Sequence, residues 1–296
     1  MLTDFSIFFE MAFAILPIQY YITMFNNTIK EKAMSHLKVL TIGNSYADSV
    51  FFFLPKIAAA AGCDLLLERA NIGGCSLRRH WEEHLKSCGD DTCKPYYGKF
   101  SLKEKLSSNN WDIVTIQQAS YESWKSDSYE PYAGNIIKTI KRYAPKAEII
   151  IQQTWSYNAD DPRLIKSSKE SWGFDQKEMF EKLADSYRIL AEKYQLRVIP
   201  TGLAVQYSRN IPGNGDPAGF TISKENGEKV TDFIHLNTRG EYMQSCLWFA
   251  FLFNRKVSDI TFIPDEIGES DALILQQCAQ SALENYIQVS PGGNEE

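Results

Sequence analysis

Leu37-Lys38-Val39-Leu40-Thr41-Ile42 runs straight into Gly43-Asn44-Ser45-Tyr46-Ala47-Asp48. The change of pattern between those two stretches decides the fold. The first is a short, mainly apolar run, which reads as a strand buried in a sheet. Gly43 ends it. Residues 49–61 then follow a helical pattern, and Gly62 stands where a C-terminal cap glycine belongs. A strand, a tight turn and a helix, in that order, make the first half of a βαβ unit.

The unit recurs along the chain. A second strand is expected over 64–70, ending at Asn71-Ile72-Gly73-Gly74, with a helix over 76–86. Residues 88–100 read as a loop. Trp111-Asp112-Ile113-Val114-Thr115-Ile116-Gln117 is the third strand. The helix over 132–143 stops before Pro145. Residues 147–152 form the fourth strand and 196–199 a short fifth. Between those two, Met179, Phe180, Leu183, Tyr187, Leu190 and Ala191 recur at helical spacing within 176–194. Residues 208–230, rich in Gly, Pro, Asn and Asp, read as one long loop. The segment 238–253 is apolar on most sides and reads as a buried helix, and 271–287 as an amphipathic one. Strands alternating with helices predict right-handed crossovers and a parallel sheet covered on both faces. The expected fold is α/β, about five parallel strands in a three-layer α/β/α sandwich. In such sheets the reactive groups lie beyond the carboxyl ends of the strands.

Composition narrows the function classes. The chain has 296 residues, 44% of them hydrophobic and 23% charged, with a net charge of −6. That is a globular composition long enough for a large core without staples. Lys and Arg are scattered, which argues against a nucleic-acid partner. The six cysteines contain no C-x-x-C pair, so neither a zinc ribbon nor a thioredoxin motif is indicated. Cys88 and Cys93 are close enough in sequence for a local disulfide, or are two free thiols. Residues 1–36 stand apart from the domain expected over 37–290. They are mostly apolar from Phe5 to Phe25, lack Lys or Arg before Lys30, and are interrupted by Pro17. An atypical export signal, an N-terminal anchor and an upstream extension of the true start all fit. A periplasmic or extracellular location is favoured over a cytoplasmic one, and no membrane partner is expected beyond such an anchor.

The strand ends carry the polar residues. Ser45 at a strand-to-helix turn has the placing of a nucleophile beside backbone N–H groups, although a Ser N-cap is the commoner reason for such a placing. Gly73-Gly74 lets the backbone approach a ligand closely, or is an ordinary turn. Gln117 and Gln118 follow the third strand and can donate to a developing oxyanion. Trp155 and Tyr157 follow the fourth and fit either the wall of a sugar pocket or packing. Asp232 and His235 supply a carboxylate and an imidazole three residues apart, the pair a serine base requires, or are a capping Asp and a satisfied surface His. His80 and His84 are spaced i, i+4, but His80-Trp81-Glu82-Glu83-His84 is not H-E-x-x-H, and a solvated helix face is expected there. No metal site is expected, and Cys75 reads as a buried, inert thiol.

Taken in order, these motifs resemble the SGNH (GDSL-like) hydrolases over residues 37–256. They are similar to a bacterial branch catalogued as a domain of unknown function. Its pattern is G-N-S-[FY], G-G-C-S-L, W-D-x-[IV]-T-x-Q-Q-A-S, Q-x-W and D-x-x-H-L. Here it stands as Gly43-Asn44-Ser45-Tyr46, 73–77, 111–120, 153–155 and 232–236. The resemblance implies a flavodoxin-like sandwich with Ser45 as nucleophile, His235 as general base and acid, and Asp232 as its orienting partner. It also implies oxyanion donors from the N–H groups of Ser45 and Gly74 and from a Gln side chain. That Gln is Gln118 by first choice, with Gln117 as the alternative, because the clan usually has Asn in a G-x-N-D motif there. Asn44, Trp155 and Tyr157 would contact substrate. Asp48 matches an acidic position with no assigned role. The implied activity is serine ester hydrolysis without metal or organic cofactor, on a small-molecule or glycan ester, with short acyl groups on carbohydrate expected. A lipase or thioesterase on longer acyl chains, and a non-catalytic carbohydrate-binding protein, are the alternatives. The sequence does not disclose an oligomeric state.

Overall fold

The computed structural model describes residues 36–288. The apolar N-terminal segment lies outside the described residues.

Five parallel strands form the main sheet in the order β2-β1-β3-β4-β5: β1 His36–Gly43, β2 Asp64–Asn71, β3 Ile113–Ile116, β4 Glu148–Gln152 and β5 Arg197–Ile199. That order is the flavodoxin-like one, with its switch point between β1 and β3. All four residues of β3 are buried, and Val39 and Leu40 are both fully so. Successive residues of a strand face opposite layers, so the sheet is covered on both sides. Each such aliphatic side chain contributes about 1.5–3 kcal/mol by its burial.

Helices fill the two outer layers. On one face, α3 (Leu77–Gly89) and α4 (Leu102–Ser107) pack on α5 (Tyr132–Tyr143), and α6 (Gln176–Tyr194) follows β4. On the other, α2 (Leu54–Ala60) packs on α8 (Thr238–Phe253), and α9 (Glu269–Asn285) on α8 and α7 (Thr201–Arg209). α8 is buried along nearly its whole circumference, which is why its sequence is apolar on most sides. The open edge at β5 is covered by Gln288, whose amide accepts from the Val198 N–H (2.9 Å) and donates to the Val198 carbonyl (2.8 Å). Among the described residues, no helix is long and apolar enough to cross a membrane.

The architecture agrees with the sequence reading, with one consequential exception. Residues 208–230 are not a single loop. Ala218–Ser223 (β6) and Lys229–Leu236 (β7) form an antiparallel two-stranded hairpin separate from the main sheet. Its turn is closed by Lys224 and Glu228, with Gly227 at φ +80°. The turn-forming residues of 208–217 precede a short alternation, Phe220-Thr221-Ile222, that is exposed on both faces and so lacks an apolar side to announce it. The helices α4 and α7 also emerge where no helix is expected from sequence.

Candidate active site

β1 ends at Gly43, and a short helical turn, α1 (Ser45–Asp48), follows. The N-cap of that turn is Asn44, not Ser45. The Asn44 side chain accepts from the Tyr46 N–H at 3.0 Å, which leaves the Ser45 hydroxyl uncommitted to the backbone. It points instead across to the hairpin. Ser45 Oγ lies 2.8 Å from His235 Nε2, and His235 Nδ1 lies 2.7 Å from Asp232 Oδ2. The carboxylate can only accept, so Nδ1 carries the proton and Nε2 is free to accept from the serine.

Asp232 is fixed by more than the imidazole. Its Oδ1 accepts from the backbone N–H groups of Ile234 (2.8 Å) and His235 (2.9 Å). Partial burial pushes its carboxyl up, but the hydrogen bonds from the His235 N–H, the His235 ring and the Ile234 N–H outweigh it. The carboxyl is held below the usual carboxylate range and stays ionised, as an orienting partner must. This local turn interrupts the ladder of β7: the register shifts between Ala218 and Phe220, opposite the segment from Asp232 to Leu236. Gly219, at φ +96°, sits within the irregularity, where a Cβ would come 3.2 Å from the Asp232 carbonyl oxygen.

The backbone N–H groups of Ser45 and Gly74 have no hydrogen-bond partner among the described residues. Gly74 adopts φ +62°, a left-handed conformation that favours glycine. The Tyr121 hydroxyl donates to its carbonyl at 3.3 Å.

The two glutamines separate clearly. Gln118, the first choice from sequence as oxyanion donor, is saturated by the scaffold. Its Oε1 accepts from the N–H groups of Leu77 and Ala119, and its Nε2 donates to the Ser128 carbonyl and hydroxyl. A side-chain amide has two protons to give, so Gln118 has none left for a substrate and the expectation is corrected. Gln117 donates one Nε2 proton to Asn44 Oδ1 at 2.7 Å, while its Oε1 is buried without a partner. Gly43 is required beneath it, since a Cβ there would lie 2.8 Å from Gln117 Cδ.

Three expected substrate contacts are corrected as well. Asn44 is buried: its Oδ1 accepts from the Tyr46 N–H and from Gln117 Nε2, and its Nδ2 donates to the Cys75 carbonyl at 3.0 Å. Trp155 is fully buried, stacked on Tyr46 with ring centroids 3.9 Å apart. Tyr157 is 1% exposed, its hydroxyl 3.1 Å from Ser120 Oγ and its ring under the Arg163 guanidinium. All three are buried packing groups that present no surface to a substrate. Tyr121, 41% exposed, is the aromatic ring presented to solvent beside Gly74.

His80 and His84 do not form a solvated face, for both are buried. His80 Nε2 donates to the Gly43 carbonyl at 2.9 Å, and its Nδ1 accepts from the Tyr96 hydroxyl at 3.0 Å. Burial pushes the imidazole down to about 4. Asp48, without a role from sequence, ties α1 to β2 through Arg69 (3.0 Å) and Asn71 (2.9 Å). Burial raises the Cys75 thiol to about 12, so it is not a nucleophile. Cys88 and Cys93 are free thiols.

Residues missed by sequence reasoning hold the hairpin in place. The Ile234 carbonyl accepts from the Tyr46 hydroxyl (2.7 Å) and from Trp155 Nε1 (2.9 Å). Arg209, buried by α7, pairs with Asp216 and donates to the Ser156 and Tyr157 carbonyls. Asp216 in turn accepts from the Ala218 N–H at the start of β6. The sole sequence signal for these contacts was the recurrence of Tyr46 and Trp155 within the motifs.

A strand-end serine joined to a His–Asp pair at the carboxyl end of a flavodoxin-like sheet defines the class of protein: a three-layer α/β protein. Residues 38–282 match the family described as Domain of unknown function (DUF4886), and the chain belongs to it. A crystal structure of a DUF4886 family protein from Bacteroides uniformis is similar at TM-score 0.69 and 24% identity, covering 86% of this chain and 98% of that one. An acetyl xylan esterase matches at TM-score 0.46 and 16% identity, over 72% of this chain and 99% of that one. A phospholipase A1 from Streptomyces albidoflavus matches at TM-score 0.42 and 10% identity, over 70% and 94%. No curated protein matches.

Proposed function

We propose that this protein is a serine ester hydrolase working through an acyl-enzyme. The observation that carries the reading is the continuous chain Ser45 Oγ, His235, Asp232, with links of 2.8 and 2.7 Å. His235 Nε2 takes the Ser45 proton as Oγ attacks the ester carbonyl. The proton passes to the departing alcohol, and water, deprotonated by the same nitrogen, then releases the acid. The N–H groups of Ser45 and Gly74 are free to bind the oxyanion, and Gln117 has the remaining amide proton for a third donor. The resemblance to the SGNH hydrolases supports the same roles.

The substrate proposed is a short acyl ester of a carbohydrate, with Tyr121 as the exposed ring at the mouth. That specificity rests on the resemblance. One observation favours the longer-chain reading: Phe220, Ile222 and Val230 are exposed and share a face of the hairpin with Asp232. Hydrolysis of p-nitrophenyl esters from acetate to octanoate, with Ser45→Ala beside wild type, tests both. Activity that peaks at acetate and falls by on the order of 10⁶ in Ser45→Ala is expected. A peak at octanoate selects the lipase or thioesterase reading. Full activity in Ser45→Ala overturns the serine mechanism.

A further inference from the structure

The peptide group between Ile234 and His235 is held from both sides. Its N–H donates to Asp232 Oδ1 at 2.9 Å. Its carbonyl accepts two side-chain donors, the Tyr46 hydroxyl at 2.7 Å and Trp155 Nε1 at 2.9 Å. A carbonyl oxygen has two lone pairs, so this one is saturated. With both ends of the peptide plane engaged, the backbone entering His235 has little freedom to turn.

Tyr46 is the residue immediately after the nucleophile. Its hydroxyl therefore links the backbone that carries Ser45 to the backbone that carries His235, across 188 positions of sequence. Tyr46 is itself immobilised. Its ring stacks on Trp155, at an interplanar angle of 13°. Its own carbonyl accepts from Gln152 Nε2 (3.0 Å) and Gln244 Nε2 (3.1 Å), on a sheet strand and a buried helix. The ring is 2% exposed and lies beneath the triad, its centroid 5.8 Å from that of the His235 ring.

We propose that Tyr46 is a positioning residue, with Trp155 as its partner, and that its hydroxyl sets the alignment of His235 on Ser45 by bonding the Ile234 carbonyl. The inference rests on the serine-hydrolase reading above. Tyr46 does not touch the reacting atoms. It shortens the path by which the rigid sheet constrains the hairpin. Misplacement of a catalytic base by an ångström costs up to about 100-fold in rate. The donor from Trp155 remains when the hydroxyl is lost, so a smaller loss, about tenfold, is expected.

The test is Tyr46→Phe, which deletes only the oxygen, in the full chain. Ser45 is titrated with a fluorophosphonate, a probe that reports both how many sites react and how fast each does. The expected result is full labelling stoichiometry, a labelling rate and kcat each about tenfold lower, and KM within about twofold of wild type. Trp155→Phe, which keeps a ring in the stack and removes the other donor, is expected to show the same split. The proposal is overturned if Tyr46→Phe and wild type label and turn over at equal rates. It is also overturned if stoichiometry falls while the rate per reactive site is unchanged, since that marks a purely structural role. Labelling that persists in Ser45→Ala would mean that the underlying serine reading has failed, a different result from either of these. If Tyr46→Phe does not fold, Trp155→Phe decides by the same criteria.

Discussion

β1 and β7 each position one half of the Ser45–His235 pair, and they are built on different terms. From Val39 to Gly43 every residue of β1 is buried, between strands on both sides and helices on both faces. The outer part of β7, from Lys229 to Thr231, is exposed, and among the described residues its only strand partner is β6. Ser45 thus inherits its place from the core. His235 cannot, because an isolated two-stranded ribbon is marginal by itself. Its place is set by individual hydrogen bonds: those on Asp232, those on the Ile234 carbonyl, and the Asn237 amide on the Asp216 and Gly219 carbonyls. A site split in this way loses alignment before it loses fold, since opening free energies are lowest where buried contacts are few.

The sharpest way to break the hairpin half is Asp232→Asn. Asn keeps an oxygen for the two backbone N–H groups but offers no charge to the imidazole and allows the wrong tautomer. Turnover on p-nitrophenyl acetate is expected to fall about 10,000-fold, with a thermal midpoint close to wild type.

The sheet half is loosened by acid through His80, which bonds the Gly43 carbonyl two residues before Ser45. Its pKa is about 4 in the folded protein, against about 6.5 unfolded. The unfolded state therefore takes up the proton first as the pH falls. The contribution of neutral His80 is fully present above about 6.5 and is lost progressively toward 4, about 3 kcal/mol over that window. Urea unfolding at pH 7.5 and pH 5 measures it, and a His80→Gln variant is expected to show a shallower slope. An equal slope in both proteins would assign the acid sensitivity elsewhere. The smallest effect is expected at the hairpin tip. Ile222→Ala, at a half-exposed position, should change global stability by less than about 0.5 kcal/mol, whereas a larger loss in a urea melt would show that the ribbon supports the core.

The parts of this contrast differed in how far they could be read beforehand. The sheet was legible because buried parallel strands are continuous apolar runs bounded by turn residues, as 37–42 and 147–152 are. The hairpin was not, because its outer residues, 220–223 and 229–231, are exposed on both faces and follow a Gly- and Pro-containing segment that reads as loop. At the site, Ser45, Asp232 and His235 were visible as residue types at strand ends and in one short turn. The choice between Gln117 and Gln118 was not, since it depends on Ser128 and on the start of α3, which are distant in sequence. Trp155 and Tyr157 misled for a related reason: an aromatic residue after a strand looks alike whether it faces solvent or, as Trp155 does, roofs a neighbouring tyrosine.

β1 also sets a direction for the whole molecule. It runs for eight residues from His36 to Gly43, roughly 26 Å at strand spacing, and Ser45 lies at its far end. His36 therefore lies at the end of the sheet opposite Ser45. A bead or surface coupled at position 36 itself would hold the protein with the Ser45 end turned outward, open to bulky, polymeric molecules.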